Sequence, residues 1–300
     1  EQADLIGDIR LDKKMPIGYC FSYPAESMPD GDAKLIRWTK GVDIREMLDK
    51  PVGQPLMEYL NEKNENKFTG IKVINDTVAS LFAGLTDSDC DAYIGLIVGT
   101  GTNMATFISR EHISKLDHHY KGTGLIPVNL ESGNFYPPHL TEVDNLVDEL
   151  SDSPNRQRFE KAVSGMYLGE IFKAVFPTDS HDEGFNARDM NLIVNNPGLY
   201  KKDYVDVANW IFSRSAQLVA ASLAGLILEL RAYIPELKRV RLTAEGSLFW
   251  SKMSLGKHYH QMVLDKLYLL LSESGYEDIT VDVEEKKNIN LVGTAIAALS

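Results

Sequence analysis

An α/β fold follows from two features of the sequence. Short apolar, β-rich runs occupy the first part of the chain, and longer stretches with helical apolar spacing alternate with strands further on. A length of 300 residues leaves room for about two domains. A composition of 44% hydrophobic and 25% charged residues is that of an ordinary globular chain. Collagen, low-complexity disorder and a charge-dominated tail are excluded.

Taken in order, Met15 to Tyr23 is apolar and β-rich, stops at Pro24, and reads as a strand. Lys34 to Thr39 is a second strand reached through the turn residues Pro29, Asp30 and Gly31. Pro55 opens a helix through Leu60 that dissolves into the polar run from Asn61 to Lys67. Ile71 to Ile74 is a buried strand, followed by a small-residue helix from Thr77 to Leu85. Tyr93 to Val98 and Met104 to Ile108 are strands joined by Gly99-Thr100-Gly101-Thr102-Asn103. Gln157 to Phe176 carries a helical stripe of Phe159, Val163, Met166, Tyr167 and Ile171. The Ala- and Leu-rich stretch from Tyr204 to Tyr233 is a long helix or a broken pair. A strand from Val240 to Ala244, a helix from His258 to Ser272, a strand from Ile279 to Val283 and a helix from Leu291 to Leu299 complete the pattern.

Thirty-one basic residues against 43 acidic ones give a net charge of −12. That balance argues against nucleic acid or an anionic membrane as partner. The two cysteines, Cys20 and Cys90, lie far apart and form neither a disulfide framework nor a zinc site, which suits a reducing cytosol and a cytoplasmic location. The most apolar stretch, Leu218 to Leu230, is interrupted by Ser222, Gly225 and Glu229, short of the roughly 20 apolar residues of a membrane span. No signal peptide is visible, and a start at Glu1 suggests that upstream sequence has been removed.

The residues with chemical potential each admit a plain alternative. Gly99 and Gly101 lie between two strands and precede no helix, which is neither a dinucleotide fingerprint nor a Walker loop. Such a hairpin can cradle an anion on bare amides, or simply use glycine for positive φ. Asn75-Asp76-Thr77 follows a strand, at the sheet edge where α/β proteins bind ligands, yet all three residue types also cap helices. Lys40 ends the Trp38-Thr39-Lys40-Gly41 run and reads equally as a solvated lysine. Glu131 sits in a loop, Glu160 opens a helix whose N-terminus favours negative charge, and Ser22 is a polar position in a strand. The histidines show no metal-ligand spacing.

Order along the chain separates these readings. Phe21-Ser22-Tyr23-Pro24, Trp38-Thr39-Lys40-Gly41, Asn75-Asp76-Thr77-Val78, Ile97 through Asn103, Asn129-Leu130-Glu131, Phe159-Glu160-Lys161 and Ser164-Gly165-Met166-Tyr167-Leu168-Gly169-Glu170 follow one another. This series resembles the hexokinase family, of the hexokinase and glucokinase type within the actin-like ATPase superfamily. It is dense from Ile17 to Phe172 and thinner afterwards, through Arg214 to Leu228, Ala244-Glu245-Gly246-Ser247-Leu248 and Gly293 to Leu299.

The resemblance implies a two-domain, ribonuclease H-like fold. Residues 1–73, joined by the closing helix 291–300, would form a small domain and residues 74–290 a large one. It implies transfer of the γ-phosphoryl group of Mg-ATP to the 6-hydroxyl of a glucose-like hexose, the opening step of glycolysis. Asp76 would accept the hydroxyl proton and Lys40 would face the transferring group. Ser22, Thr39, Lys40, Asn75, Asp76, Asn103, Glu131, Gln157 and Glu160 would surround the sugar, which would lie in a cleft that closes to exclude water. Gly99, Thr100, Gly101 and Thr102 would cradle the ATP phosphates, and Gly246 and Ser247 would flank the adenosine. The chemistry suits those residue types. Phosphoryl transfer relies on positioning and positive charge, and a ring of hydroxyls matches carboxylates and amides that accept or donate as needed.

Three departures accompany the resemblance. The family carries an Asp-x-Gly-Gly-Thr phosphate hairpin before the Phe-Ser-Tyr-Pro equivalent. Here there is no Gly-Gly pair and little chain before Phe21, so the small domain reads as incomplete at its N-terminus and the Asp that organises magnesium is absent. Ser132 replaces the usual aromatic after the Glu131 equivalent, and Glu245 stands where Asp is usual. The absent hairpin makes a non-catalytic sugar sensor the alternative to a kinase.

Overall fold

A computed structural model describes residues 13–38, 43–63, 67–86, 89–115, 124–181, 184–253 and 257–300. In chain order the first elements are β1 (Met15–Cys20), β2 (Ala25–Ser27), β3 (Ala33–Leu35), α1 (Gln54–Lys63), β4 (Phe68–Ile74) and α2 (Asp76–Ala83). The central ones are β5 (Ala92–Val98), β6 (Thr102–Ser109), β7 (Leu125–Asn129), α3 (Glu142–Glu149), α4 (Arg158–Val163), α5 (Gly165–Val175) and α6 (Ala187–Asn195). The last are α7 (Lys202–Tyr233), β8 (Arg239–Glu245), α8 (Tyr259–Glu273), β9 (Thr280–Glu284) and α9 (Ile289–Leu299).

The chain divides into two compact bodies, Glu1–Thr86 with Lys286–Ser300, and Asp87–Glu285. These boundaries fall after α2 and before α9, not at 73/74 and 290/291, because α2 packs against α9. A side chain on Gly293 of α9 would lie 1.7 Å from the Ala79 carbonyl of α2, so only glycine lets the two helices approach this closely.

In the first body β1 and β4 pair in parallel, with Cys20 opposite Ile74, while β2 and β3 form an antiparallel hairpin. The buried side chains of Phe21, Leu35, Val52 and Val73 make a small core. Asp32 organises it: its carboxylate accepts the amides of Ala33, Gly53 and Gln54 at 2.6, 2.7 and 2.7 Å, which starts α1. The first strand ends at Cys20, so Ser22 lies just beyond it and not within it. The strand expected over Lys34–Thr39 is confined to Ala33–Leu35, because Leu35 turns to pair with Lys50 and Asp49 and Ile36 bonds back to Pro24.

In the second body the sheet order is β7-β6-β5-β8-β9; β7, β6 and β5 are antiparallel, and β5, β8 and β9 are parallel. Helix α7 is one unbroken helix of 32 residues. It is long and apolar enough to cross a membrane by length and composition alone. Here Ala208, Ile211, Phe212, Val219, Leu223 and Ile227 bury that apolarity in the core of the body. The single helix expected over Gln157–Phe176 is two, broken at Ser164, which adopts an extended φ of −85° and ψ of 152°. The break has two causes. Ser215 donates to the Val163 carbonyl at 2.7 Å, and the Gly165 amide donates to Gly99 O at 2.7 Å instead of continuing the first helix.

Candidate functional site

In the first body the sheet itself places the site residues. Because Cys20 pairs with Ile74 and the Phe21 amide donates to Ile74 O at 2.9 Å, Ser22 and Asn75-Asp76 emerge together at the carboxyl ends of two parallel strands. Asn75 is the N-cap of α2 and accepts the Thr77 amide at 2.8 Å; Asp76 Oδ1 accepts the same amide at 2.8 Å. Capping therefore holds, and the geometry leaves Asp76 half-buried at the edge with its carboxylate fixed by backbone. Lys40 and Thr39 lie outside the described residues. Their neighbour Trp38 packs edge-on against Phe21 and Tyr23, at 6.1 and 4.8 Å between ring centres, and its Nε1 donates to Ile44 O at 2.7 Å.

In the second body the Gly99–Asn103 segment is a tight antiparallel hairpin, with the Gly99 amide donating to Gly101 O at 2.9 Å. The hairpin has two faces. On one, Gly101 and Thr102 meet Glu160: the Thr102 amide donates to Glu160 Oε2 at 3.0 Å, and any side chain at Gly101 would lie 2.5 Å from that oxygen. Thr102 Oγ1 donates to Ile97 O at 3.0 Å, so its hydroxyl is committed to the hairpin. The Asn103 amide donates to Asn129 Oδ1 at 2.7 Å, and Asn129 in turn donates to Glu131 Oε1 at 2.6 Å. Asn103 Oδ1 accepts the Ser132 amide at 3.1 Å, which ties the Glu131 loop to β6. Asn103, Glu131 and Glu160 are thus brought to one side of the hairpin, with Gln157 one helical turn from Glu160.

Glu131 and Gln157 both adopt left-handed backbone, at φ of 49° and 51°. Side chains other than glycine hold that conformation only where surroundings impose it, at a cost on the order of 1–3 kcal/mol, and such residues cluster at binding sites. Tyr167 stands nearby. Burial first, then the charges of Glu160, Asp152 and Asp148, push its phenol up, so it stays neutral.

On the other face, Gly99 and Thr100 join Gly165, Met166, Asn186, Arg188, Asn191, Ser247, Leu248 and Ser251 around a cavity of about 610 Å³. Behind Gly99 backbone packs on backbone: a side chain there would lie 3.2 Å from Gly246 Cα. Gly246, at φ 120°, sits where a side chain would lie 2.1 Å from Val98 O, a consequence of β5 and β8 ending side by side. Exposed hydroxyls at Thr100 and Ser247, bare glycine backbone and one guanidinium suit a nucleotide. Among the described residues no group of three or more His, Cys, Asp or Glu is arranged to hold a metal.

Asn129, Asp148 and the α6 residues Arg188 and Asn191 were not anticipated. Two capping boxes were the available signals: Thr141 with Asp144 starts α3, and Asn186 with Asp189 starts α6. Asn129 belongs to the Asn129-Leu130-Glu131 run, and the structure links it to Asn103 and Glu131.

Two family models described as Hexokinase match the chain, over residues 2–85 and over residues 93–192 and 201–300. Human Hexokinase-1 is 30% identical across 91% of this chain, and Hexokinase-7 of Oryza sativa is 30% identical across 90%. The chain spans 35% and 65% of those two proteins, respectively. Among solved structures, a hexokinase from Schistosoma mansoni complexed with glucose superposes with a TM-score of 0.74 at 23% identity, covering all of this chain and 74% of that one. The fold is accordingly that of the hexokinases within the actin-like ATPase class. With two family models matched in sequence order over most of its length, this chain belongs to the hexokinase family.

Proposed function

We propose that this chain carries the hexose- and nucleotide-binding residues of an ATP-dependent hexokinase that phosphorylates the 6-hydroxyl of a glucose-like sugar. The observation that carries this reading is the two-faced hairpin. Its Gly101–Asn103 side is lined with the acceptors and donors a sugar ring needs, and its Gly99–Thr100 side borders a nucleotide-sized cavity. Both faces belong to the one turn that joins Val98 to Thr102, which would set an alcohol and a phosphate chain within reach of each other.

In this reading Glu160 and Glu131 accept sugar hydroxyls, and Asn103 and Gln157 complete the ring of partners. Each carboxylate left unsatisfied by a wrong epimer would cost on the order of 1–3 kcal/mol, which gives the pocket its selectivity. Asp76 accepts the proton of the attacking hydroxyl, with Asn75, Ser22, Thr39 and Lys40 as its neighbours in sequence motif. Lys40 supplies positive charge to the transferring group, and Thr100, Gly246 and Ser247 bind the nucleotide. Mg²⁺ arrives with ATP, in keeping with general usage in the family.

A coupled assay for glucose-dependent ADP release tests the reading. In the complete protein activity is expected, and Asp76→Ala there lowers kcat by more than about a hundredfold while glucose still binds. A kcat within about tenfold of the unsubstituted chain removes Asp76 from the base role. Glucose binding without any ADP release points instead to the sensor alternative.

A further inference from the structure

Asp148, near the C-terminal end of α3, is only 1% exposed and none of the family motifs includes it. Both its oxygens are engaged. Oδ1 meets Lys161 Nζ at 2.6 Å, and Oδ2 meets Arg158 Nη1 at 2.6 Å and accepts the Asn155 amide at 2.8 Å. Lys161 reaches further, donating to Ser153 O at 2.6 Å, and Arg158 also donates to Asn145 and stacks over Tyr136. Lys161 and Arg158 are themselves 3% and 4% exposed. Everything this carboxylate grips therefore belongs to one stretch, residues 153–161.

That stretch is the one that presents Gln157 and Glu160. It contains two left-handed residues, Asn155 at φ 62° and Gln157 at φ 51°, neither a glycine. It continues into α4, which at six residues is too short to be stable by its own propensity. Arg158 and Lys161 are three positions apart and share a face of α4, turned to Asp148, whereas Glu160 is turned to the Thr102 amide. The rotation of this short helix is thus set from both sides. A buried ion cluster is weak evidence for stability, but removing one partner strands the others, so the segment it holds responds to the loss of any member. Burial pushes the Asp148 carboxyl up, yet the bonds from Lys161, the Asn155 amide and Arg158 outweigh it and hold the group below the ordinary carboxylate range.

We propose that Asp148 is a positioning residue for the sugar pocket: through Arg158, Lys161 and the Asn155 amide it sets the orientation of Gln157 and Glu160. The proposal rests on the hexose reading above. It is tested by titrating glucose calorimetrically into the 300-residue chain and into Asp148→Asn, which keeps shape but loses charge. The expected result is at least about a tenfold weaker glucose Kd with ATP affinity unchanged, as misplacement of binding groups weakens what they hold. In a Gln157→Ala background the same substitution should have a clearly smaller effect, because part of what Asp148 positions is then gone. A lower melting temperature with unchanged glucose affinity, or equal effects in both backgrounds, overturns the proposal and leaves the hexose reading standing. If Asp148→Asn does not fold, Lys161→Gln takes its place, with weakened glucose binding and recovery in Lys161→Arg expected and an unchanged Kd overturning it. Absence of glucose binding by the unsubstituted chain overturns the hexose reading and this proposal with it.

Discussion

Glu160 illustrates how a single side chain is placed for the binding role proposed for it. Its carboxylate is anchored on the Thr102 amide at 3.0 Å and faces a glycine at position 101 that leaves room beside it. Substitution by alanine removes that anchor and one acceptor of the proposed sugar contacts. Glu160→Ala is expected to raise the hexose KM by about 12- to 160-fold, the range of one lost charged hydrogen bond, while the KM for ATP holds. Steady-state kinetics with both substrates varied checks this, and an unchanged hexose KM with altered ATP affinity contradicts it. At this scale the sequence marks residues that sit in compact motifs, and the structure gathers three of them, Asn103, Glu131 and Glu160, on one side of the hairpin. Asn129 and Asp148 were not legible, because their importance comes from partners 26 positions away at Asn103 and 13 away at Lys161. No local pattern carries that information.

Elements were readable where hydrophobic period and turn chemistry agree, and less so where tertiary bonds decide. The strands β4, β5, β6 and β8 and the helices α7 to α9 lie where apolar spacing puts them, within a few residues. Strand β7 escaped notice because Leu125–Asn129 has an exposed, irregular pattern and a proline at 127, tolerable on the edge strand that it is. The break at Ser164 was invisible because it depends on Gly99 O and Ser215, far off in sequence. Two glycines test the packing that results. Gly293→Ala forces a methyl into Ala79 O and should destabilise the first body by about 1–3 kcal/mol, read by thermal or denaturant unfolding. Gly246→Ala, at φ 120° and against Val98 O, should weaken ATP binding while glucose affinity is kept. An ATP affinity equal to that of the unsubstituted chain would show that the close approach of β5 and β8 does not shape the cavity.

Across the molecule, acidic pH is the condition under which the buried charge network should give way. Asp148 is held low as described, and Asp91 is held low by the backbone amides of Lys238 and Arg239. A carboxyl whose folded value lies below its unfolded value of about 3.9 contributes stability that is complete above that value and is lost as pH falls through the folded one. His260, lowered by burial and by His258, loses stability earlier, below its unfolded value of about 6.5. The melting temperature should therefore decline slightly below about pH 6.5 and steeply below about pH 4, with the steep part shallower in Asp148→Asn. Identical acid slopes in the two proteins would contradict the assignment of Asp148. The alternation of strand and helix patterns was a sound guide at this scale to an α/β chain. The boundary between the bodies was not, since it turns on the packing of α2 against α9.

The binding expectations depend on a hexose being held by the Asn103, Glu131, Gln157 and Glu160 group. A crystal structure of the chain soaked with glucose would settle that. Ring hydroxyls bonded to the carboxylates of Glu131 and Glu160 and to the Asn103 amide are expected; glucose seated elsewhere, or these four side chains left without sugar at saturating concentration, would refute it.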